Sequence, residues 1–120
     1  MNSYKDLTVW QKSMDLCVDI YRITDSFPKY ETYGLTSQIR RCCVAIPSNI
    51  AEGQRRGHKA EYVQFLRIAY GSGAELETQL FLALRIGYLE QKEFNKVNDL
   101  LEEVMRMLNR LISVLLKPKT

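Results

Sequence analysis

The sequence predicts an all-α protein, and three observations carry this prediction. Apolar residues recur at spacings of three and four in four segments, which is typical of amphipathic helices. No segment alternates strictly between apolar and polar residues, so strands are not expected. The 120 residues, 46% of them hydrophobic, suit one globular domain spanning 1–120. Four helices with short connections favour an antiparallel, up-and-down four-helix bundle.

The first helix is expected over about residues 8–25. Phe27 precedes Pro28, and a residue before proline avoids helical dihedral angles, so the helix ends there and 28–34 form a loop. The predicted core stripe recurs at spacings of four and three. It consists of Trp10, Met14, Cys17, Tyr21 and Thr24.

The second helix is expected over about residues 35–55. Its predicted core stripe is Leu35, Ile39, Cys42, Cys43, Ile46 and Ile50. The cysteines are an odd set with two adjacent members, which is not a disulfide framework. We therefore expect Cys17, Cys42 and Cys43 to act as small buried hydrophobes in a reducing compartment.

The third helix is expected over about residues 59–87, with Gly87 as its C-terminal cap. Its predicted core stripe is Tyr62, Phe65, Leu66, Ala69, Gly73, Leu76, Leu80, Ala83 and Leu84. Gly71 and Gly73 each cost roughly 1 kcal/mol relative to alanine in a helix interior. Because a glycine has no β-carbon, it leaves room for the backbone of another helix. Gly71 and Gly73 therefore predict that another helix approaches helix 3 closely.

The fourth helix is expected over about residues 91–116, before Lys117 and Pro118. Its core seam keeps alternating spacings of three and four, as in coiled coils. The seam is Phe94, Val97, Leu101, Val104, Leu108, Leu111 and Leu115.

Helices 3 and 4 carry more apolar residues than one core stripe needs. Helix 4 adds Met105 and Ile112 on one flank of its seam and three apolar residues on the other flank. Helix 3 adds three apolar residues outside its core face, so six lie on helix 3 and the second flank of helix 4. Contiguous exposed apolar patches usually mark interfaces, so these six predict a homo-oligomer. They are Phe81, Leu82, Ile86, Leu100, Met107 and Val114.

The positive charge is concentrated in one part of the chain. Residues 35–70 hold six basic and two acidic residues, a local charge of +4, whereas the other 11 basic and 12 acidic residues sum to −1. Arginines on rigid helices suit phosphate groups because the guanidinium donates hydrogen bonds in pairs. The candidate nucleic-acid contacts are Arg40, Arg41, Arg55, Arg56, Lys59 and Arg67. The alternative interpretation is that these basic residues form a solvated surface with ion pairs within helices or between subunits.

Catalytic and metal-binding patterns are absent from the sequence. The chain has one histidine, His58, and lacks the paired Glu-x-x-His motifs of a di-iron bundle and any zinc spacing. Glu75 and Glu77 point about 200° apart on a helix and cannot flank one bond. We expect no enzymatic activity, no cofactor and no metal. The start lacks a secretory signal and no run of residues suits a membrane span, so a cytoplasmic protein is expected.

Several ordered motifs are shared with a known family. They are YGLTSQIRR (33–41), VAIPSNIAEG (44–53), FLRIAYGS (65–72), ELETQL (75–80), Trp10-Gln11 and Gly87-Tyr88. With these motifs the chain resembles the bacterial four-helix-bundle family of ribosomal-RNA intervening-sequence proteins. That family includes the accessory variability determinant of diversity-generating retroelements. The resemblance covers nearly the whole chain.

The resemblance implies a bundle that assembles into a homopentamer. The retroelement members look like nucleic-acid-binding partners of a reverse transcriptase, whereas most other members have no established activity. The motif positions carried over are candidates either for ligand contact or for holding the fold. Three of these positions are Arg40, Arg41 and Gly53. The other five are expected to form a polar network and are Asn49, Glu52, Glu75, Glu77 and Gln79.

Two functions from different classes follow. The first is an oligomeric adaptor that binds RNA or DNA through the basic surface of helix 2 and the turn to helix 3. The second is a scaffold that binds a protein, for example a reverse transcriptase, without touching nucleic acid. A third, small-molecule or enzymatic role is disfavoured, because sets of catalytic residues are missing.

Overall fold

The four amphipathic segments form four helices in a computed structural model of the protein. The structure describes residues 3–118, and within this range there is no β-strand. Single turns of 3-10 helix lie at Tyr4–Asp6 and Lys29–Glu31. The helices are α1 (Thr8–Thr24), α2 (Leu35–Arg56), α3 (Lys59–Arg85) and α4 (Gln91–Leu116). Their bounds lie within two residues of the predicted ones, and Gly87 follows α3 with φ of 88°, as expected of its cap.

Each helix packs against two others: α1 and α3 both contact α2 and α4. This is the arrangement of a four-helix bundle. None of the helices in the described range has the length and hydropathy that crossing a membrane requires. Burying a leucine or isoleucine contributes roughly 1.5–3 kcal/mol, so the core is the main source of stability. Its largest members without exposed surface include Leu16, Ile20, Ile39, Ile46, Ile50, Leu66, Leu76, Leu80, Leu101 and Leu108.

In α1 the buried face differs from the predicted one, because Met14 and Tyr21 are exposed. The predicted stripe and the buried one both recur at helical spacing, and they are shifted by about one residue. The buried stripe is the one with more aliphatic side chains. The hydroxyl of Ser13 donates a hydrogen bond to the Trp10 carbonyl oxygen at 2.8 Å. A polar residue therefore enters the core without losing a hydrogen bond. The buried residues of α1 are Val9, Ser13, Leu16, Cys17, Ile20 and Thr24.

Two buried glycines mark places where helices approach closely. A β-carbon on Gly53 of α2 would lie 2.7 Å from Phe65 Cβ and 3.3 Å from the Tyr62 carbonyl oxygen, both on α3. A β-carbon on Gly73 of α3 would collide with the thioether of Met105 on α4. The prediction is wrong for Gly71, which is exposed and whose would-be β-carbon has no atom of another helix within 4 Å.

The three cysteines are free thiols. Cys17 of α1 and Cys43 of α2 are buried, as predicted, whereas Cys42 is half-buried. The thiol of Cys43 donates a hydrogen bond to Cys17, with the sulfur atoms 3.3 Å apart. This hydrogen bond and burial raise the pKa of Cys43, so its thiol keeps its proton.

Arg56 ties the end of α2 to the start of α3. Its guanidinium donates to Glu52 at 2.9 Å, one turn earlier in α2, and to Glu61 at 3.3 Å in α3. The guanidinium carbon also lies 5.0 Å from the centre of the Phe65 ring. The hydrogen bond to Glu52, with Glu61 adding to it, raises the pKa of Arg56. Arg56 therefore supports the helix–helix turn.

Gly53→Ala is expected to lower the free energy of unfolding by about 1–3 kcal/mol, because the added methyl group overpacks the α2–α3 contact. Gly71→Ala is the matched control. It meets open space and should raise stability by about 0.5–1 kcal/mol through helix propensity. Urea denaturation at one fixed protein concentration measures both values. A Gly53→Ala variant as stable as the Gly71→Ala variant would contradict this account of the packing.

Arg56→Ala is expected to lower the thermal midpoint by roughly a few degrees, since it removes both ion pairs and the contact with Phe65. Arg67→Ala, at an exposed position of α3 without an ion pair or an aromatic contact in residues 3–118, should leave the midpoint nearly unchanged. The difference between the two variants should shrink at about 0.5 M salt, because exposed ion pairs are screened. Circular dichroism melting curves test this, and equal midpoints at low salt would overturn it.

Candidate nucleic-acid interface

The basic residues of α2 lie at its two ends. Arg40 and Arg41 lie in its second turn, whereas Arg55 and Arg56 lie in its last turn. A rise of 1.5 Å per residue separates Arg41 from Arg55 by about 21 Å along the helix axis. The basic surface predicted for α2 is therefore divided into two clusters.

The turn cluster consists of Arg55, Arg56 and Lys59. Arg56 is held by two carboxylates, whereas Arg55 and Lys59 are exposed and have no ion pair within residues 3–118. The guanidinium carbon of Arg55 lies 5.9 Å from the centre of the Tyr4 ring, a cation–π distance. Arg67, about two turns further along α3, is also exposed without an ion pair in that range. No carboxylate within residues 3–118 therefore neutralises Arg55, Lys59 or Arg67.

At the other end of α2, Arg40 is fixed against α1. Its Nε donates a hydrogen bond to Thr24 Oγ1 at 2.9 Å, and its Nη2 donates to the Tyr21 carbonyl oxygen at 3.3 Å. The guanidinium carbon lies 4.5 Å from the centre of the Tyr21 ring. The Thr24 hydroxyl itself donates to the Ile20 carbonyl oxygen at 2.7 Å. Arg40 therefore joins α1 to α2 and keeps a fixed orientation.

A groove of about 560 Å³ lies between the end of α1, the following loop and the start of α2. Three cations line it, Lys29, Arg40 and Arg41, and we call them the loop-end cluster. Tyr33 also lines the groove, and Asp25 is the one acid among the lining residues. Sequence patterns did not single out Lys29, which lies in a segment without periodicity, and they included Tyr33 only as the first residue of the YGLTSQIRR motif. The available signal was a lysine and a tyrosine in the loop that leads into the helix of Arg40 and Arg41.

Hydrogen bonds to Glu31 hold the loop that forms this groove. The carboxylate accepts from the backbone N–H of Leu35 at 3.0 Å and from the Tyr88 hydroxyl at 2.8 Å. These two hydrogen bonds, that from Leu35 first, hold the pKa of Glu31 below its usual value. The loop after α1 is thereby attached both to the start of α2 and to the turn between α3 and α4.

Two of the motif residues on α3 meet α2. Cys42 Sγ lies 3.6 Å from Glu75 Oε2, and burial raises the pKa of the Cys42 thiol, so the thiol is the donor. Gln79 lies beside the same thiol, and its Oε1 is buried without a hydrogen-bond partner among the described residues. Glu77 is half-buried. Glu75 and Gln79 therefore belong to the α2–α3 contact.

The two motif residues on α2 bond within their own helix. The side-chain amide of Asn49 donates to the Ala45 carbonyl oxygen at 2.7 Å. Glu52 accepts from Arg56 one turn later. In residues 3–118 neither side chain is hydrogen-bonded to Glu75, Glu77 or Gln79, so the motif residues form separate local contacts.

The apolar residues predicted to form an oligomer interface are of two kinds. Leu100 and Met107 are half-buried against the core, whereas the other four are 46–55% exposed. Phe81 also contacts Phe94 of α4, with ring centres 4.7 Å apart. Ile112, placed on the flank of α4 by its spacing, is buried in the core. The exposed four are Phe81, Leu82, Ile86 and Val114.

The chemistry that these surfaces offer is the binding of anions. Fixed and free guanidinium groups donate hydrogen bonds in pairs to phosphate oxygens. Within the part of the chain that the structure describes, no three His, Cys, Asp or Glu side chains come together as a possible metal site. His58 is exposed in the turn between α2 and α3.

The fold is that of a solved bacterial protein. A crystal structure of a protein of unknown function from the S23 ribosomal protein family of Bacteroides thetaiotaomicron VPI-5482 superposes with a TM-score of 0.81. The two chains are 24% identical, and the match covers 88% of this chain and 95% of that one. At this identity the likeness shows the fold alone. A search of the curated proteins gives no match.

The sequence model described as 23S rRNA-intervening sequence protein matches residues 5–110. The matched range includes both basic clusters, the motif residues and most of α4. Neither this family nor the solved neighbour indicates an enzymatic class. The chain belongs to the 23S rRNA-intervening sequence protein family.

Proposed function

We propose that the protein is a non-enzymatic, oligomeric adaptor that binds RNA or DNA through phosphate contacts. The observation that carries this proposal is the set of exposed cations on α2 and α3 with no ion pair in residues 3–118. Arg56, by contrast, is used within the fold, and Arg40 is held in one orientation by α1. On α2 and α3 these cations are Arg41, Arg55, Lys59, Arg67 and Arg85, and the first four lie in the segment 35–70, where the positive charge is concentrated. We also propose the cytoplasm as its place of action.

Binding of this kind depends on the phosphate backbone. Each phosphate neutralised by a lysine or arginine releases condensed counterions, so affinity falls steeply as salt rises. Exposed aromatic residues are few near the turn cluster, which disfavours extensive base stacking there. The adaptor is therefore expected to bind with little sequence preference.

The first test replaces Arg41 and Arg55 by glutamate and measures fluorescence anisotropy with labelled RNA and DNA strands of about 20 nucleotides. Wild type should bind at micromolar protein or below, with a logarithmic affinity that falls linearly with the logarithm of salt. The double variant should lose binding at least about tenfold, since it reverses two phosphate-contacting charges.

The matched control reverses two exposed cations of α4, Lys92→Glu with Arg110→Glu, which changes net charge by the same amount. It should bind nearly as wild type does. Equal losses of affinity in the two double variants would show that net charge alone is responsible. Absence of binding by the wild type at about 10 µM would refute the nucleic-acid role. That second outcome would favour the protein-binding scaffold.

We propose further that the helices run in alternating directions. At one end of α2, Cys42 meets Glu75 of α3, while at the other end Gly53 meets Phe65. On α3 and α4, Gly73 meets Met105, whereas Phe81 meets Phe94. In each pair, a later position on one helix meets an earlier position on its neighbour, which supports an antiparallel, up-and-down arrangement.

The same proposal includes assembly into a ring of five chains. A cyclic ring needs two different surfaces on each subunit, because its contacts are head-to-tail. The exposed apolar residues of α3 and α4 provide one surface, and Met14 and Val18 of α1, 40% and 47% exposed, provide a second. With a charge of +3 on each chain, five chains bring +15 into one assembly.

Light scattering coupled to size-exclusion chromatography tests the ring. A pentamer of 14.0 kDa chains has a mass of about 70 kDa, five times that of one chain. Leu82→Glu should shift the protein toward the monomer, because it places a charge in an apolar interface. Gln38→Glu, at an exposed position of α2, should not. A wild-type monomer at tens of micromolar would rule the ring out.

A further inference from the structure

The groove beside α2 has the composition of a site for one nucleotide. We propose that the loop-end cluster and Tyr33 bind a nucleoside monophosphate, either free or as the phosphorylated end of a strand. The cations would hold the phosphate, and the tyrosine would stack on the base. The strand-borne form rests on the proposed nucleic-acid role, whereas the free form does not.

The charge of the groove matches a terminal phosphate better than an internal one. Lys29, Arg40 and Arg41 contribute three positive charges and Asp25 contributes one negative charge, a balance of +2. A phosphate monoester carries between −1.5 and −2 charges near neutral pH. A phosphodiester within a strand carries one negative charge, so the groove favours a monoester.

The groove is prepared for an anion before one arrives. Hydrogen bonds to Thr24 and Tyr21 use only part of the donor capacity of Arg40, since a guanidinium has five N–H groups. Its orientation is already fixed, which lowers the entropy lost on binding. Arg41 and Lys29 are exposed and have no ion pair within residues 3–118, so their charges are available.

Tyr33 supplies the aromatic contact. Its side chain is 96% exposed although it lines the groove, so the ring presents an open face to solvent. Bases stack on such exposed rings with little preference among them. The volume of about 560 Å³ falls within the range of roughly 300–1,000 Å³ that is common for small-ligand sites.

The turn cluster offers no comparable site. The cavity beside it measures about 220 Å³, and Lys59 is the one lysine or arginine among its lining residues. The two clusters therefore differ in kind. The turn cluster suits contacts along a strand, whereas the loop-end cluster surrounds a space that one nucleotide fills.

Isothermal titration calorimetry with adenosine monophosphate, adenosine and inorganic phosphate tests this proposal on the full chain. Adenosine monophosphate should bind, and adenosine should bind at least about tenfold more weakly, because it lacks the charged group. Lys29→Ala with Arg41→Ala should weaken the monophosphate at least about tenfold. Tyr33→Ala should weaken the monophosphate but not inorganic phosphate.

Arg55→Ala with Lys59→Ala is the matched control and should leave nucleotide affinity unchanged. Arg40 is left intact because it joins α1 to α2, and circular dichroism confirms that each variant is folded. The proposal is overturned if the monophosphate gives no heat at about 1 mM, if adenosine binds equally well, or if the Lys29 and Arg41 variant binds as wild type does.

Strands of about ten nucleotides with a 5′-phosphate, a 3′-phosphate or neither separate the two sources. Tighter binding of a phosphorylated strand supports the strand end, provided that Lys29→Ala with Arg41→Ala abolishes the difference. Binding of the monophosphate without any strand supports the free nucleotide and refutes the nucleic-acid role. Strand binding without monophosphate binding refutes the nucleotide site and leaves the adaptor standing.

Discussion

Burial of one apolar face on each of four helices is the constraint on which the rest of the structure depends. Ile39, Ile46 and Ile50 of α2 point into the core without exposed surface, which turns Arg41 and Arg55 outward. The contact between Gly53 and Phe65 brings α2 close to α3, and this contact lies one turn from Arg56. The positions of the cations are therefore consequences of core packing and of helical geometry.

The same residue type serves two purposes within one segment. Arg56 is tied to two carboxylates and Arg40 to α1, and both hold helices together. Arg41 and Arg55, each the immediate neighbour of one of these residues, are exposed because adjacent side chains on a helix point about 100° apart. A structural arginine and a free one thus stand side by side at each end of α2. This pairing places free charge on a rigid support.

The two basic clusters have different surroundings. The turn cluster lies on an open surface, whereas the loop-end cluster lines a groove that Tyr33 completes. In a ring, equivalent clusters would recur on every subunit, and a strand could then contact several subunits at once.

The number of helices and their approximate bounds followed from the sequence alone, because periodicity and helix-ending residues such as Pro28 and Gly87 act locally. The sequence also predicted four of the buried positions of α2, which are Ile39, Cys43, Ile46 and Ile50. Three features depended on packing between helices: which of two stripes of α1 is buried, which arginines are held by partners, and that Lys29 and Tyr33 share a groove with Arg40. These features depend on contacts between residues that are distant in the chain, such as Arg40 with Tyr21. The spacing of residues within one helix carries no information about such contacts.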